Sequence, residues 1–228
     1  MRAIVLTSIQ YSDNSYIANL YTDSQGMVSV SIRTGSKRSK FRRSYLVPLT
    51  LLDVELSGRE RSEIRYIADC TLSYNACTLS TDPLKILQSQ FLAEMFHKAL
   101  RTGEPDPTIF SFLRDSIIAL DLATSSTLNT HLHILIKLMF YIGIMPDFTD
   151  FSADKVLDIA EGKMVYVSSC EYLNHDLSSL LINLASNPST PLTSPQRRDL
   201  IDFLVRYYQR HLSGFGIIKT LDIFREMI

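Results

Sequence analysis

Cysteine is scarce in this chain of 228 residues, and the three it has, Cys70, Cys77 and Cys170, form no Cys-x-x-Cys pair and leave an odd count. A disulfide framework or a zinc site needs paired spacing, so both are set aside and a reducing cytoplasm is expected. Long apolar runs are missing too. The longest, residues 134–145, contains Lys137 and stops at Pro146 and Asp147, whereas a bilayer-crossing helix needs about 20 apolar residues. No membrane segment is expected, and the opening MRAIVLTSIQYSD has neither the apolar core nor the cleavage site of a secretion signal.

Catalytic signatures are the third absence. Thr34-Gly35-Ser36-Lys37 resembles part of a phosphate loop, but Ser36 stands where that motif needs its lysine, and the tetrapeptide lies between strands rather than at a helix start. His131 and His133 fall two apart on a helical stretch and point in different directions, while His97, His175 and His211 stand alone. There is no Gly-x-Ser-x-Gly elbow. The expectation is a protein that is not an enzyme and needs no cofactor and no metal.

What is present is an uneven distribution of charge. The net charge of −1 conceals two unlike parts: residues 1–80 hold ten Lys/Arg and seven Asp/Glu, and the remainder is acidic. Between Asp23 and Asp53 no acid occurs at all, and Arg33, Lys37, Arg38, Lys40, Arg42 and Arg43 fall within eleven positions of that window. Such a block makes a local positive field whatever the net charge. With Gly35, two serines and Phe41 between the cations, the stretch can follow a phosphate backbone and offer one aromatic face to a base. A weaker basic spot is Arg197 and Arg198, continued by Arg206 and Arg210 on one helix.

The first seventy residues have period two. Residues 3–10, 15–22, 27–32, 45–57 and 63–69 read as five short antiparallel strands, with Gly26 supplying the positive φ of the turn after Asp23. A long basic connection between the third and fourth strands fits a small closed barrel of the oligonucleotide-binding (OB) type, though propensity does not separate that from an SH3-like barrel. Tyr11, Tyr16, Tyr21, Tyr45 and Tyr66 could give it stacking faces. Beyond Cys70 the period becomes helical. Asp82-Pro83 and Asp106-Pro107 open two helices, residues 129–143 form a third that is apolar nearly all round, and residues 176–185, 195–212 (capped by Ser194) and 219–228 follow. The fold expected is α+β: an N-terminal five-stranded OB-fold barrel in residues 1–75 and an α-helical C-terminal domain in residues 76–228.

Three stretches, AIVLTSIQYSDNSYIANLYTDSQGMVSVSIRTGSKRSK, YLVPLTLLDVELSGR and the ending HLSGFGIIKTLDIFREMI, together with Ile142-Gly143-Ile144-Met145-Pro146-Asp147, resemble the bacterial recombination mediator family RecO. The resemblance spans the chain and rests on order and spacing. It implies a cytoplasmic, nucleoid-associated DNA repair protein that binds single- and double-stranded DNA and anneals complementary strands coated with single-strand-binding protein (SSB). It further implies that RecR acts with it to load RecA, so RecA assembly is an indirect partner. DNA contacts are then expected from Arg33, Lys37, Arg38, Lys40, Arg42 and Arg43, extended by Arg197 and Arg198. Many members hold zinc through four C-terminal cysteines, whereas residues 151–172 here contain only Cys170, so packing has to replace the metal. Two alternatives remain open: an OB-fold scaffold that binds protein without a direct DNA role, and a cryptic enzyme with a spatially assembled site.

Overall fold

The alternation of Val28, Val30 and Ile32 with Met27, Ser29 and Ser31 leaves an extended chain with one dry face and one wet one. A computed structural model of the protein, describing residues 1–33, 41–57, 64–124, 128–167 and 171–228, builds that pattern into a closed barrel. Its strands are β1 (Arg2–Ser12), β2 (Ser15–Thr22), β3 (Gly26–Arg33), β4 (Leu51–Ser57) and β5 (Arg65–Leu72). Their order around the barrel is β1-β2-β3-β5-β4, with β4 returning to β1. The expected antiparallel set holds except at β3–β5, where Val30 lies beside Arg65 and Ser31 beside Tyr66 in parallel. A ring with an odd number of strands has at least one parallel neighbour, so five strands closed on themselves cannot alternate throughout. Ala3, Val5, Ala18, Leu20, Val28, Val30, Ile32, Leu52, Val54 and Cys70 fill the interior, and Gly26 takes φ 65° at the β2–β3 turn.

The fourth strand starts later than residue 45. Arg43–Leu46 instead form one turn of 3-10 helix, and Leu49 takes a left-handed φ of 64°, costing about 1–3 kcal/mol for a residue with a Cβ. That turn is held by the Leu49 amide donating to the Val5 carbonyl at 2.7 Å and by burial of the leucine side chain.

The chain divides into two compact units, Met1–Ala123 and Thr124–Ile228. The first contains the barrel with α1 (Pro83–Ala99) and α2 (Pro107–Leu122). Each helix has the expected Asp-Pro start: Asp82 accepts from the amides of Leu84 and Lys85, and Asp106 from those of Thr108 and Ile109. α1 lies against β1. Phe110 of α2 stacks on Tyr21 at 6.4 Å and sits under the Arg2 guanidinium at 5.4 Å.

In the second unit α3 (Thr130–Tyr141) buries seven of its residues, His131 among them. It is accompanied by α4 (His175–Ser186), α5 (Ser194–His211) and α6 (Leu221–Met227). Two features correct the sequence reading. A small antiparallel sheet, β6 (Lys155–Asp158), β7 (Met164–Tyr166) and β8 (Tyr172–Leu173), in the order β7-β6-β8, stands where only helices were expected; strands of two to four residues are too short to display a period. The cap of α5 is Thr193 rather than Ser194, and it forms a capping box with Gln196. Among the described residues no helix is long and apolar enough to cross a membrane.

Candidate nucleic-acid interface

β3 delivers Arg33 to one end of the barrel, opposite Ser15 of β2, which in turn lies opposite Ser12 of β1. Arg33 is exposed. Lys37, Arg38 and Lys40 lie outside the described residues. The next described residue is Phe41, whose ring is buried in the barrel core and meets Tyr45 edge-on at 5.5 Å. The expectation that Phe41 faces a base is therefore corrected: burying a phenylalanine contributes about 2 kcal/mol, and here that burial fastens the end of the basic segment to the barrel.

With Phe41 turned inward, Arg42 and Arg43 are exposed. Arg43 opens the 3-10 turn and lays its guanidinium 5.7 Å above the ring of Tyr16. A cation over an aromatic face is held by the ring quadrupole while its edge donors remain available to an anion. Tyr16 follows Ser15, the residue opposite Arg33, so Arg33 and Arg43 converge on the same end of β2. One acid, Asp13, stands in the β1–β2 turn at this end.

Beside this basic pole the outer barrel face carries an apolar row. Ile9 of β1 lies opposite Ile17 of β2, Ile17 opposite Ser31 of β3, and Ser31 beside Tyr66 of β5. Ile9 is 69% exposed and Tyr66 58%. Arg33 follows Ser31 by two positions, so it shares that face about 6.7 Å further along the strand. Tyr11, at an irregularity between Gln10 and Ser12, is 78% exposed. Of the tyrosines singled out in the sequence, Tyr11 and Tyr66 thus offer open faces, Tyr16 underlies Arg43, Tyr21 is buried against Phe110, and Tyr45 packs on the barrel core. Sequence reading missed Ile9 and Ile17. Alternation puts them on the wet face, but only registration across four strands shows them in one cross-strand row with Tyr66, Ser31 standing between.

The second basic spot is not a continuous strip. Arg197 is buried and spends its guanidinium on the Leu192 carbonyl at 2.7 Å and the Ser194 hydroxyl at 2.8 Å, which removes it from the surface. Arg198 is exposed and donates to the Arg225 carbonyl. Asp199 and Asp202 alternate with the arginines of α5, and Asp202 pairs with Arg225 at 2.9 Å. Interleaved acids cancel the field that a phosphate backbone would feel.

Among the described residues no three His, Cys, Asp or Glu side chains gather as a metal site requires. Val156, Leu157, Ile159, Met164 and Leu173 are buried; Cys170 lies outside the described residues. His131 is fully buried, and burial, followed by the charge of Arg197, lowers its pKa to about 3. Asp121 is buried with its carboxyl held below the ordinary range. Burial opposes this shift, but the amides of Cys77 and Thr78 and the hydroxyls of Tyr74 and Thr78 outweigh it. The Leu79 amide and, through the Asp121 backbone carbonyl, the Lys85 ammonium complete the knot. A carboxylate with its lone pairs so occupied is structural: it ties the connector between β5 and α1 to the end of α2.

The comparisons with known proteins cover both parts of the chain. The family model described as the N-terminal domain of recombination protein O matches residues 1–75, and that of its C-terminal domain matches residues 80–155. The DNA repair protein RecO of Porphyromonas gingivalis is 30% identical over 234 residues, covering 97% of this chain and 96% of that one. Those of Azobacteroides pseudotrichonymphae and Christiangramia forsetii are each 28% identical, with 99% of this chain and 97% of theirs covered.

Proposed function

This chain belongs to the RecO family of DNA repair proteins, and from that premise we propose that it is a non-enzymatic mediator that binds single- and double-stranded DNA at the basic pole of its barrel. The observation that carries this reading is the convergence of Arg33 and Arg43 on one end of β2, with Arg42 exposed beside them and an exposed row of Ile9 and Tyr66 alongside. Cations neutralise phosphates while an aromatic or apolar face meets unpaired bases.

Annealing needs no covalent step. Two strands repel each other through their phosphates, and a surface that releases counterions from both lowers that barrier. In this reading Lys37, Arg38 and Lys40 extend the cationic surface, Arg198 is a peripheral contact, and Arg197 takes no part. The proposed partners are SSB on the coated strand and RecR, with RecA assembly as the indirect outcome; the proposed setting is the cytoplasm, at the nucleoid.

Titration of a labelled single-stranded oligonucleotide across a salt series tests the proposal. Affinity is expected to fall with a log–log slope of about −0.7 per phosphate neutralised. Reversing the charge of Lys37, Arg38, Arg42 and Arg43 together is expected to flatten the slope and to abolish annealing of complementary strands. Salt-insensitive or undetectable DNA binding, together with a stable protein complex, would instead assign the barrel to a protein-only scaffold.

A further inference from the structure

We propose that a recess beside the basic pole receives one unpaired nucleobase of the bound strand, a proposal that rests on the DNA-binding reading and adds a second, non-ionic contact to it. The recess has a volume of about 220 Å³ and is lined by Ser44, Tyr45, Leu49, Leu72, Asn75 and Ala76, among others. That volume is below the roughly 300 Å³ at which pockets for drug-sized ligands begin, so it suits one flat ring system rather than a whole nucleotide or a folded peptide.

Its chemistry fits a heteroaromatic ring. Leu49 and Leu72 supply apolar walls, Tyr45 an aromatic one, and Ser44 and Asn75 place polar groups at the rim; an extruded base needs this combination of flat apolar contact and edge hydrogen bonds. Its position fits as well. Ser44 follows Arg43 in the same 3-10 turn, so a phosphate neutralised by Arg42 or Arg43 brings its base to the mouth. The wall formed by residues 44–51 belongs to the window without acids, and cations at one rim with no acid along that wall complement a polyanion.

Both walls are fixed before any ligand arrives. On one side Ser8 donates to the Leu46 carbonyl at 3.2 Å and the Leu49 amide to Val5. On the other, Tyr74 and the amides of Cys77, Thr78 and Leu79 are held by Asp121. A preformed recess loses little freedom on binding.

The test uses the full chain, a labelled oligothymidylate and an abasic strand of equal length. Ala76→Leu fills the recess from its rim. It is expected to weaken the base-bearing strand roughly five- to tenfold, to leave the abasic strand unaffected, and to leave the salt slope unchanged. Equal affinity of A76L and the parent for oligothymidylate, or equal losses on both strands, would overturn the proposal; the first result is also what a recess built for a protein side chain would give. Should A76L not fold, Asn75→Ala, on the exposed connector, is expected to give a two- to threefold loss on the base-bearing strand alone, and no such loss would overturn the proposal. A parent protein that binds neither strand defeats the DNA-binding reading itself, and a parent that binds both equally defeats the recess and the base contacts of the Ile9–Tyr66 row while leaving the phosphate contacts standing.

Discussion

Asp121 accepts from Tyr74, Cys77, Thr78 and Leu79 together, and its environment makes an acid-side stability loss measurable. Its carboxyl is held below the ordinary range in the folded protein, against about 3.9 in an unfolded chain. The stabilisation is therefore fully present above pH 4 and is lost as pH falls below that value toward the folded pKa. Urea unfolding between pH 2 and 7 checks this. Asp121→Asn is expected to cost about 3 kcal/mol at neutral pH, because an amide cannot accept from Tyr74, Cys77, Thr78 and Leu79 together, and to show a shallower loss below pH 4. An unaltered urea midpoint would mean that the connector is held by something else. At the same scale, Phe41 shows why an aromatic within a run of cations is a poor guide to a base-binding face. Its neighbours in sequence are charged, but its neighbours in space are Tyr45 and the barrel core.

At the scale of elements, local signals set the ends of helices while long-range pairing sets the ends of strands. Asp82-Pro83 and Asp106-Pro107 could be read directly, because a cap is satisfied by amides two and three residues away. The helix α5 starts one residue earlier than its local pattern predicts. Ser194 has the right chemistry, but its hydroxyl accepts from Arg197, and Thr193 closes the capping box. Thr193→Ala is therefore expected to cost about 1 kcal/mol and to lower the thermal midpoint by roughly 2–4 °C, checked by a thermal melt followed by circular dichroism. β4 began later than its apolar pattern suggests, because residues 45–50 are apolar enough for a strand but are bound to β1 through the Leu49 turn. Nothing within that segment announces the bond to Val5.

For the molecule as a whole, the barrel shares its unit with α1 and α2, not with the later helices. Tyr21 and Arg2 lean on Phe110, and α1 lies along β1. A fragment of residues 1–123 is expected to unfold cooperatively with a midpoint well above that of residues 1–75, which would leave those faces open to water; equal midpoints would refute the dependence. Composition, period and caps, each decided within a few residues along the chain, were enough to identify a barrel followed by helices and the acid-free cationic window, while the order and spacing of particular stretches carried the resemblance to RecO that the family models bear out. Tertiary structure alone decided that Arg43 rests on Tyr16, that Ile9, Ile17 and Tyr66 form one row, that Arg197 is buried, and that Asp121 holds Tyr74 and Leu79 in one wall of a recess. Each of these depends on residues far apart in sequence that only barrel closure and helix packing bring together, and no local pattern encodes which distant partner a side chain will meet.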